Sequence, residues 1–373
     1  MALPVILLLI IVYTYSLLIL LFYLEIDTNP DDDARELNPT LSISVIVPYK
    51  DEADHLAGLL EDFAGQSYPE ELRELIFVDD HSSDGSATIL ASLTDGNKQV
   101  HQLSLPPGMA GKKRALAYGI EHARHDRIIQ VDADCHMGPG FIFSHVAFLE
   151  KHPSDLVAGI VSTGKGTGGF LESFERLDVL SMAGSGAGSF SLGRPMMCSG
   201  ANLSYSRELY LETRTFDPES SIASGDDMFL MIGARKLGKT LSFNTHREAM
   251  VLTAPVKDWR SLIAQRIRWG SKTGKYRMPD IQLLALLVSL TNSSIMLMPL
   301  WFILFPGAWP WLAGACLLKT LADFMLLFRM TGISGSRGDL KLFLPVSLLY
   351  YPFFMLSVLG ALRGKTEWKS EPR

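Results

Sequence analysis

Asp132 and Asp134 are the residues whose type and spacing speak most directly of chemistry. They end the run Ile128-Ile129-Gln130-Val131-Asp132-Ala133-Asp134. If that apolar run is a buried strand, the two carboxylates point to the same side, because side chains alternate along a strand. Such a pair repels itself unless a cation sits between its members. A hard divalent cation, Mg²⁺ or Mn²⁺, takes oxygen ligands of this kind and keeps positions open for substrate phosphates. The C-terminal edge of an open α/β sheet is also where ligands bind.

Three other stretches carry charge in places that need a reason. Gly111-Lys112-Lys113-Arg114 puts three cations at a predicted helix start, against the preference of the helix dipole. An anionic ligand explains them better than helix stability does. Ser224-Gly225-Asp226-Asp227 stands just before an apolar helix. Asp226 reads as a cap there, whereas Asp227 has no such need. From Trp259 to Tyr276 runs a basic amphipathic stretch suited to an anionic lipid surface. Within it, Gln265, Arg268 and Trp269 share neighbouring helical faces by i, i+3, i+4 spacing.

The elements that must position these residues follow an α/β rhythm. Ile43-Ser44-Val45-Ile46-Val47 is a β-branched run stopped by Pro48, followed by Tyr49-Lys50-Asp51-Glu52. Leu56, Leu59, Leu60 and Phe63 have helical spacing. A second strand, Glu74 to Val78, ends in Asp79-Asp80, and Ser82-Ser83-Asp84-Gly85-Ser86 reads as a turn with a helix cap. Strand, helix, strand, helix predicts a parallel α/β unit. Gly159 to Gly166 nearly spells a phosphate-binding loop but has Gly166 where the magnesium-binding Ser or Thr belongs, which excludes an ATPase of that type. Gly184 to Gly188 is rich in Gly and Ser.

Composition narrows the class. The chain has 373 residues, 47% of them hydrophobic, and a formal net charge of −6, which argues against a nucleic-acid partner. Cys135, Cys198 and Cys316 are scattered and odd in number, which fits a reducing compartment. Val5 to Leu24 holds no charge, Pro or Gly and matches the ~20 residues a bilayer core requires. It lacks the basic start of a signal peptide, so a retained anchor is expected. Ile281 to Phe305, Gly307 to Phe328 and Leu342 to Leu362 are further spanning candidates. Lys319 and Asp323, one helical turn apart, are placed to pair inside a bundle. With one span before the α/β unit and three after it, the basic tail would lie outside, against the positive-inside tendency. Either the tail is outside or one late segment is re-entrant or interfacial.

Taken in order, these motifs resemble the family 2 glycosyltransferases, inverting enzymes with a GT-A fold. The resemblance rests on Val47-Pro48-Tyr49-Lys50-Asp51-Glu52, Val78-Asp79-Asp80 with Ser83-Asp84-Gly85, Gly111-Lys112 with Ala115-Leu116, Asp132-Ala133-Asp134, Gly200-Ala201-Asn202, Gly225-Asp226-Asp227 and Gln265-x-x-Arg268-Trp269. It covers about Ile43 to Tyr276, and the last motif with its flanking spans looks like the membrane-embedded branch. Ala117, where an Asn is common, and His81, where a small residue is common, depart from the pattern.

The resemblance implies an α/β fold: a Rossmann-like GT-A nucleotide-diphospho-sugar transferase domain plus transmembrane helices. Residues 1–25 would form a membrane helix, 26–40 an acidic linker and 41–255 the catalytic domain. Residues 256–280 would form an interface helix, 281–362 two to three spans and 363–373 a tail. It implies transfer of a sugar, from a uridine diphosphate donor by expectation, to a lipid or lipid-linked glycan at the cytoplasmic face of a membrane. Pro48, Asp51, Glu52, Asp80, Lys112 and Asp132 would bind the nucleotide. Asp132 and Asp134 would hold Mg²⁺ or Mn²⁺, with Asp134 the direct ligand. Asp227 would be the general base, and Asp226, Gln265, Arg268 and Trp269 would attend the diphosphate and acceptor. A processive polysaccharide synthase and a non-catalytic membrane scaffold are the alternatives. The few, short-looped late spans weigh against the first, and retention of every charged site position weighs against the second.

Overall fold

The structure, a computed structural model, describes residues 2–27, 40–166, 168–216 and 225–363. The acidic stretch around Asp31-Asp32-Asp33, Ser224 and the tail after Arg363 lie outside the described residues. In chain order the elements are α1 (Leu3–Glu25), β1 (Ile43–Tyr49), α2 (Leu56–Ala64), β2 (Arg73–Asp79), α3 (Ser86–Thr94), β3 (Val100–Ser104), α4 (Lys112–His122), β4 (Arg127–Gln130), β5 (Cys135–Met137), α5 (Phe141–Lys151), β6 (Leu156–Gly159) and β7 (Val161–Thr163). They continue with α6 (Phe170–Ser191), β8 (Leu203–Ser206), α7 (Arg207–Thr213), α8 (Asp226–Lys236), β9 (Leu241–Asn244), β10 (Val251–Thr253), α9 (Trp259–Gly270), α10 (Pro279–Met296), α11 (Met298–Leu304), α12 (Trp309–Ser334) and α13 (Phe343–Leu362).

Two compact units emerge. One, Asp27–Lys165 with Gly193–Ala254, holds every strand among the described residues. Its main sheet runs β3-β2-β1-β4-β8-β6-β9, and a small sheet runs β5-β10-β7. Strands β1 to β4 pair parallel, and β8 lies antiparallel between β4 and β6. β1 and β2 are buried along their whole length. That is why their middles, Val45-Ile46-Val47 and Leu75-Ile76-Phe77-Val78, read as unbroken apolar runs: a parallel sheet covered on both faces offers no solvent side to alternate toward. Each fully buried Ile, Val or Phe there contributes roughly 1.5–3 kcal/mol.

β1 does not stop at Pro48 as the sequence suggested. It continues to Tyr49, because Pro48 sits where its missing N–H removes no ladder bond. The β1–β4 register ends at Ile46 opposite Gln130, so β4 has already turned away on the side that Pro48 faces. On the other side Tyr49 still accepts from the Asp80 N–H at 2.9 Å. Gly119 sets the seat of α4 on this sheet. A Cβ there would lie 2.7 Å from Ile46 Cγ2 and 3.0 Å from Val78 Cγ2.

The elements of the second unit, Met1–Ile26, Gly166–Leu192 and Pro255–Arg373, are all helices among the described residues. Leu3–Glu25, Pro306–Ser334 and Arg337–Leu362 are each long and apolar enough to cross a membrane. The Gly/Ser-rich stretch Gly184–Gly188 lies inside α6 and lets neighbours come close. A Cβ on Gly188 would stand 2.5 Å from Phe22 Cα, and one on Gly184 would stand 2.8 Å from Met330 Cγ. Lys319 and Asp323 pair at 2.6 Å, as their spacing suggested. Tyr15 donates to Asp323 at 2.9 Å, which ties α1 to α12.

The stretch expected as one span from Ile281 to Phe305 is two helices, α10 and α11, bent by 61°. Pro299, in the first turn of α11, has no N–H to continue the ladder, and its ring clashes with the preceding turn. The bend makes this segment a broken span or a re-entrant element.

Candidate active site

The site of the sheet unit forms where β1, β2 and β4 end and where α4 and α8 begin. Two residues at those strand ends, Asp51 (φ 52°) and His81 (φ 56°), hold the left-handed backbone that most side chains avoid. A hydrogen-bonded seam between the loops fixes them there. Asp51 Oδ1 accepts from Ser83 N–H at 2.7 Å, and Asp51 N–H donates to Ser82 Oγ at 3.0 Å. Glu52 N–H donates to Ser86 Oγ at 2.9 Å, and Ala53 N–H to Asp84 Oδ2 at 3.0 Å. His81 Nε2 meets Met109 O at 2.8 Å. The two loops thus behave as one piece.

Asp80 is buried, and both its oxygens accept the Gly111 N–H, at 3.0 and 2.9 Å. Burial pushes its carboxyl above the usual range, and the Gly111 bond resists that. Asp80 therefore sets the start of α4. Gly111 itself needs φ 102°, open to glycine, to turn into the helix.

The three cations that follow part ways. Lys112 Nζ meets Asp132 Oδ1 at 2.5 Å. Lys113 Nζ lies 4.7 Å from the centre of the Phe229 ring, and Arg114 donates to Gly108 O at 3.3 Å. Lys112 joins the carboxylates. Burial disfavours its ammonium, but Asp132, Asp226 and Asp227 outweigh burial and hold its pKa above the ordinary lysine range.

Asp132 and Asp134 are not brought together by the pleat of a strand. β4 ends at Gln130, and a turn closed by Cys135 N–H to Asp132 O at 3.1 Å carries both residues. Burial, with the Asp132 and Glu52 carboxylates adding to it, pushes the Asp134 carboxyl up to about 6. Crowded carboxylate oxygens of this kind suit a hard divalent cation. Among the described residues, no three His, Cys, Asp or Glu side chains are gathered closely enough to cage an ion on their own. The oxygens of Asp132 and Asp134 fit the ligand preference of such a cation.

At α8, the N-cap is Gly225, with φ 99°, which has no side chain to cap with. The cap reading of Asp226 is therefore corrected. Its Oδ2 accepts from Gln130 Nε2 at 2.8 Å, and Gln130 Oε1 in turn accepts from Tyr205 OH at 3.1 Å. Asp227 Oδ2 accepts from Gly200 N–H at 3.0 Å, and its Oδ1 from Met228 N–H at 2.7 Å. A Cβ on Gly200 would come within 2.7 Å of Gln130 Nε2, so only glycine fits between the two carboxylates' supports. Burial, then Asp227 and Asp226, push the Cys198 thiol well up, so it stays protonated.

The structure thus gathers Glu52, Lys112, Asp132, Asp134, Asp226 and Asp227 into one electrostatic cluster, with Pro48, Asp51 and Asp80 shaping the loops beside it. Gln265, Arg268 and Trp269 stand on α9 in the helical unit. Sequence reasoning missed Gln130, a buried polar residue at the end of an apolar run, which was the signal. It also missed that Asn202 is a structural clip. Asn202 donates to Ile160 O at 2.9 Å and Ala249 O at 2.7 Å, and its Oδ1 meets His145 Nε2 at 3.0 Å. The near-P-loop holds no phosphate cradle, since the Asn202 amide fills the space beside Gly159.

Residues 44–213 match the Glycosyl transferase family 2 domain. The poly(ribitol-phosphate) β-N-acetylglucosaminyltransferase TarS of Staphylococcus aureus is 30% identical over 118 residues, 31% of this chain and 20% of that protein. An undecaprenyl-phosphate 4-deoxy-4-formamido-L-arabinose transferase of Shewanella sediminis is 33% identical over 116 residues, 29% of this chain and 33% of that protein. The matched stretches thus span a fifth to a third of these relatives' length. Among solved structures, the mannosyltransferase PcManGT from Pyrobaculum calidifontis, in complex with GDP-Man and Mn²⁺, superposes with a TM-score of 0.55. It is 17% identical, covering 96% of this chain and 100% of that one, which shows the shared GT-A fold.

Proposed function

We propose that this chain, which carries a family 2 glycosyltransferase domain over residues 44–213, is a membrane-bound inverting glycosyltransferase of the branch with a Gln-x-x-Arg-Trp motif. It moves a sugar from a nucleoside diphosphate donor, a uridine diphosphate sugar in this reading, to a lipid or lipid-linked glycan at the cytoplasmic face. The observation that carries the reading is the convergence of one lysine and four aspartates, Lys112, Asp132, Asp134, Asp226 and Asp227, at strand ends and helix starts. An ATPase, a metal cage or a bare structural fold has no need of that grouping.

The residues take these roles. The joined loops around Pro48, Asp51, Glu52 and Asp80 hold the base and ribose. Asp132 and Asp134 would hold Mg²⁺ or Mn²⁺, and a divalent cation there supplies charge neutralisation for the departing diphosphate. Lys112 offers a fixed ammonium to the same phosphates. A leaving nucleoside diphosphate gains negative charge as the glycosidic bond breaks, so preorganised cations lower the barrier. Asp227 takes the acceptor hydroxyl's proton. Its two oxygens are oriented by the Gly200 and Met228 N–H groups, which aim the carboxylate. A single displacement with one base inverts the anomeric centre. Gln265, Arg268 and Trp269 serve the diphosphate and the acceptor end. The relatives that act on polyprenyl phosphates support a lipid-linked acceptor.

The test is nucleotide release by the full chain in detergent, with Mn²⁺ or Mg²⁺, a panel of nucleotide sugars and a lipid extract. Release that needs both metal and lipid, and that collapses in Asp227→Asn, is the expected result. No release from any donor would overturn the reading.

A further inference from the structure

Resting on that reading, we infer that Arg266 is a positioning residue for Gln265 and Trp269, and that Asp178 on α6 anchors it. Arg266 falls at a variable position of the Gln-x-x-Arg-Trp pattern, yet it is the buried member of the group. Its side chain is 7% exposed and that of Asp178 is 3% exposed. Each face of its guanidinium is committed. Nε donates to Asp178 Oδ2 at 2.5 Å. Nη1 donates to Gln265 Oε1 at 2.5 Å. The plane covers the Trp269 ring, with Cζ 4.2 Å from the ring centre. Nη2 is buried and meets no hydrogen-bond acceptor among the described residues.

One planar cation therefore fixes an amide and an indole at once, and the carboxylate of another helix fixes the cation. The Gln265 carbonyl accepts from Arg266, so its NH₂ group is turned the other way as a donor. An isolated exposed Trp on a helix samples several rotamers, whereas Trp269, 38% exposed, has one face stacked. A lysine cannot replace this arrangement. It keeps the charge but has neither the fork that reaches two acceptors nor the flat face that stacks.

The test uses the full chain in detergent and two readouts. The first is the split between kcat and donor KM with the donor that the wild type uses. The second is the emission of Trp269, taken as the difference between each protein and the same protein carrying Trp269→Phe. Arg266→Lys is expected to lower kcat about 100-fold, the scale of a small misplacement of a positioned group, with donor KM changed about twofold or less. The Trp269 emission should shift to the red as the ring loses its cover. Asp178→Leu with Arg266→Met removes both members of the pair while Arg176 remains as a cation for Glu175, and should keep a cooperative thermal transition while showing both effects. A fall in thermal stability with kcat and Trp269 emission unchanged would mean a purely structural pair and would overturn the inference. If the double variant does not fold, Arg266→Lys decides. If the wild type turns over no donor, the transferase reading fails separately, and the emission arm still decides whether Arg266 sets Trp269.

Discussion

The two units treat charge in opposite ways. In the sheet unit, the carboxylates Asp51, Asp80 and Asp227 are held by backbone N–H groups of loops and helix starts. In the helical unit, Asp178, Asp323 and Asp339 are held by side chains of opposite charge, at 2.5, 2.6 and 2.7 Å. Backbone donors orient a carboxylate and leave it its charge. Salt-bridge partners cancel the charge. The first arrangement suits groups that must act on a ligand, and the second suits groups that must hold helices together where there is little water. The division is not complete, since Lys112 meets Asp132 at 2.5 Å in the sheet unit and the Val256 N–H meets Glu175 at 3.0 Å in the helical unit.

The sharpest way to break this contrast is to swap a carboxylate for an amide in each unit. Asp227→Asn keeps one acceptor oxygen, turns an NH₂ group toward the other of the Gly200 and Met228 N–H groups, and loses the proposed base. Transfer should fall about 10²–10⁴-fold, the usual contribution of a general base, with about 1 kcal/mol of stability lost at the displaced backbone N–H. Nucleotide release and a melting curve on the same sample check both halves. Asp339→Asn should do the reverse. Asp339 accepts from Ser173 Oγ and from Arg176 Nη1, each at 2.7 Å, and the Arg176 side chain is 8% exposed. Taking the charge from the partner of a buried guanidinium costs about 3 kcal/mol of stability. A large fall in the transition with Asp227→Asn, or none with Asp339→Asn, would dissolve the distinction.

The tightest approaches in each unit differ too. Gly188 faces the backbone of Phe22, which cannot step aside, whereas Gly119 faces the methyl groups of Ile46 and Val78. Overpacking costs about 1–3 kcal/mol, against which alanine regains about 1 kcal/mol of helix propensity. Gly188→Ala should therefore sit at the upper end, about 2 kcal/mol net, and Gly119→Ala near zero to about 1 kcal/mol. Thermal melts of the two variants side by side decide the order.

Much of the sheet unit could be read in advance because a parallel sheet writes itself as apolar runs, and because motif residues cluster at strand ends. The α/β rhythm, the helix start at Lys112 and the acidic pairs were visible for that reason. What stayed hidden depended on contacts distant in sequence. Asp80 was expected at a nucleotide, and its oxygens hold Gly111, 31 residues away. The Asp132–Asp134 pairing comes from a turn rather than a pleat, which identical residue spacing cannot distinguish. Gln130 acquires meaning only when Asp226 arrives 96 residues later. In the helical unit, apolar length marked the helices able to span a membrane, but it was blind to the bend at Pro299 and to the helical setting of Gly184–Gly188. The bend comes from one missing N–H and the close helix contact from missing side chains, and neither changes how apolar a segment reads.

One group in the sheet unit behaves like the interior of the other unit, and its effect is the smallest at neutral pH. His145 is fully buried on α5 and bonded to Asn202, and burial pushes its imidazole down to about 4 from the ordinary 6.5. The folded state therefore keeps it neutral while the unfolded chain protonates it. Stability from this group is complete above pH 6.5 and drains away as pH falls through about 4. With about 1.4 kcal/mol per pH unit over the gap, the loss is about 2 kcal/mol at pH 5 and about 3 kcal/mol when fully expressed. His145→Gln, which keeps a hydrogen-bonding amide beside Asn202, should be less stable at pH 8 yet flatter between pH 7 and pH 5. Melting temperatures of both proteins across that range test it. Parallel curves would assign the acid sensitivity to the site carboxylates instead, and would make the two units less alike in their interiors than His145 suggests.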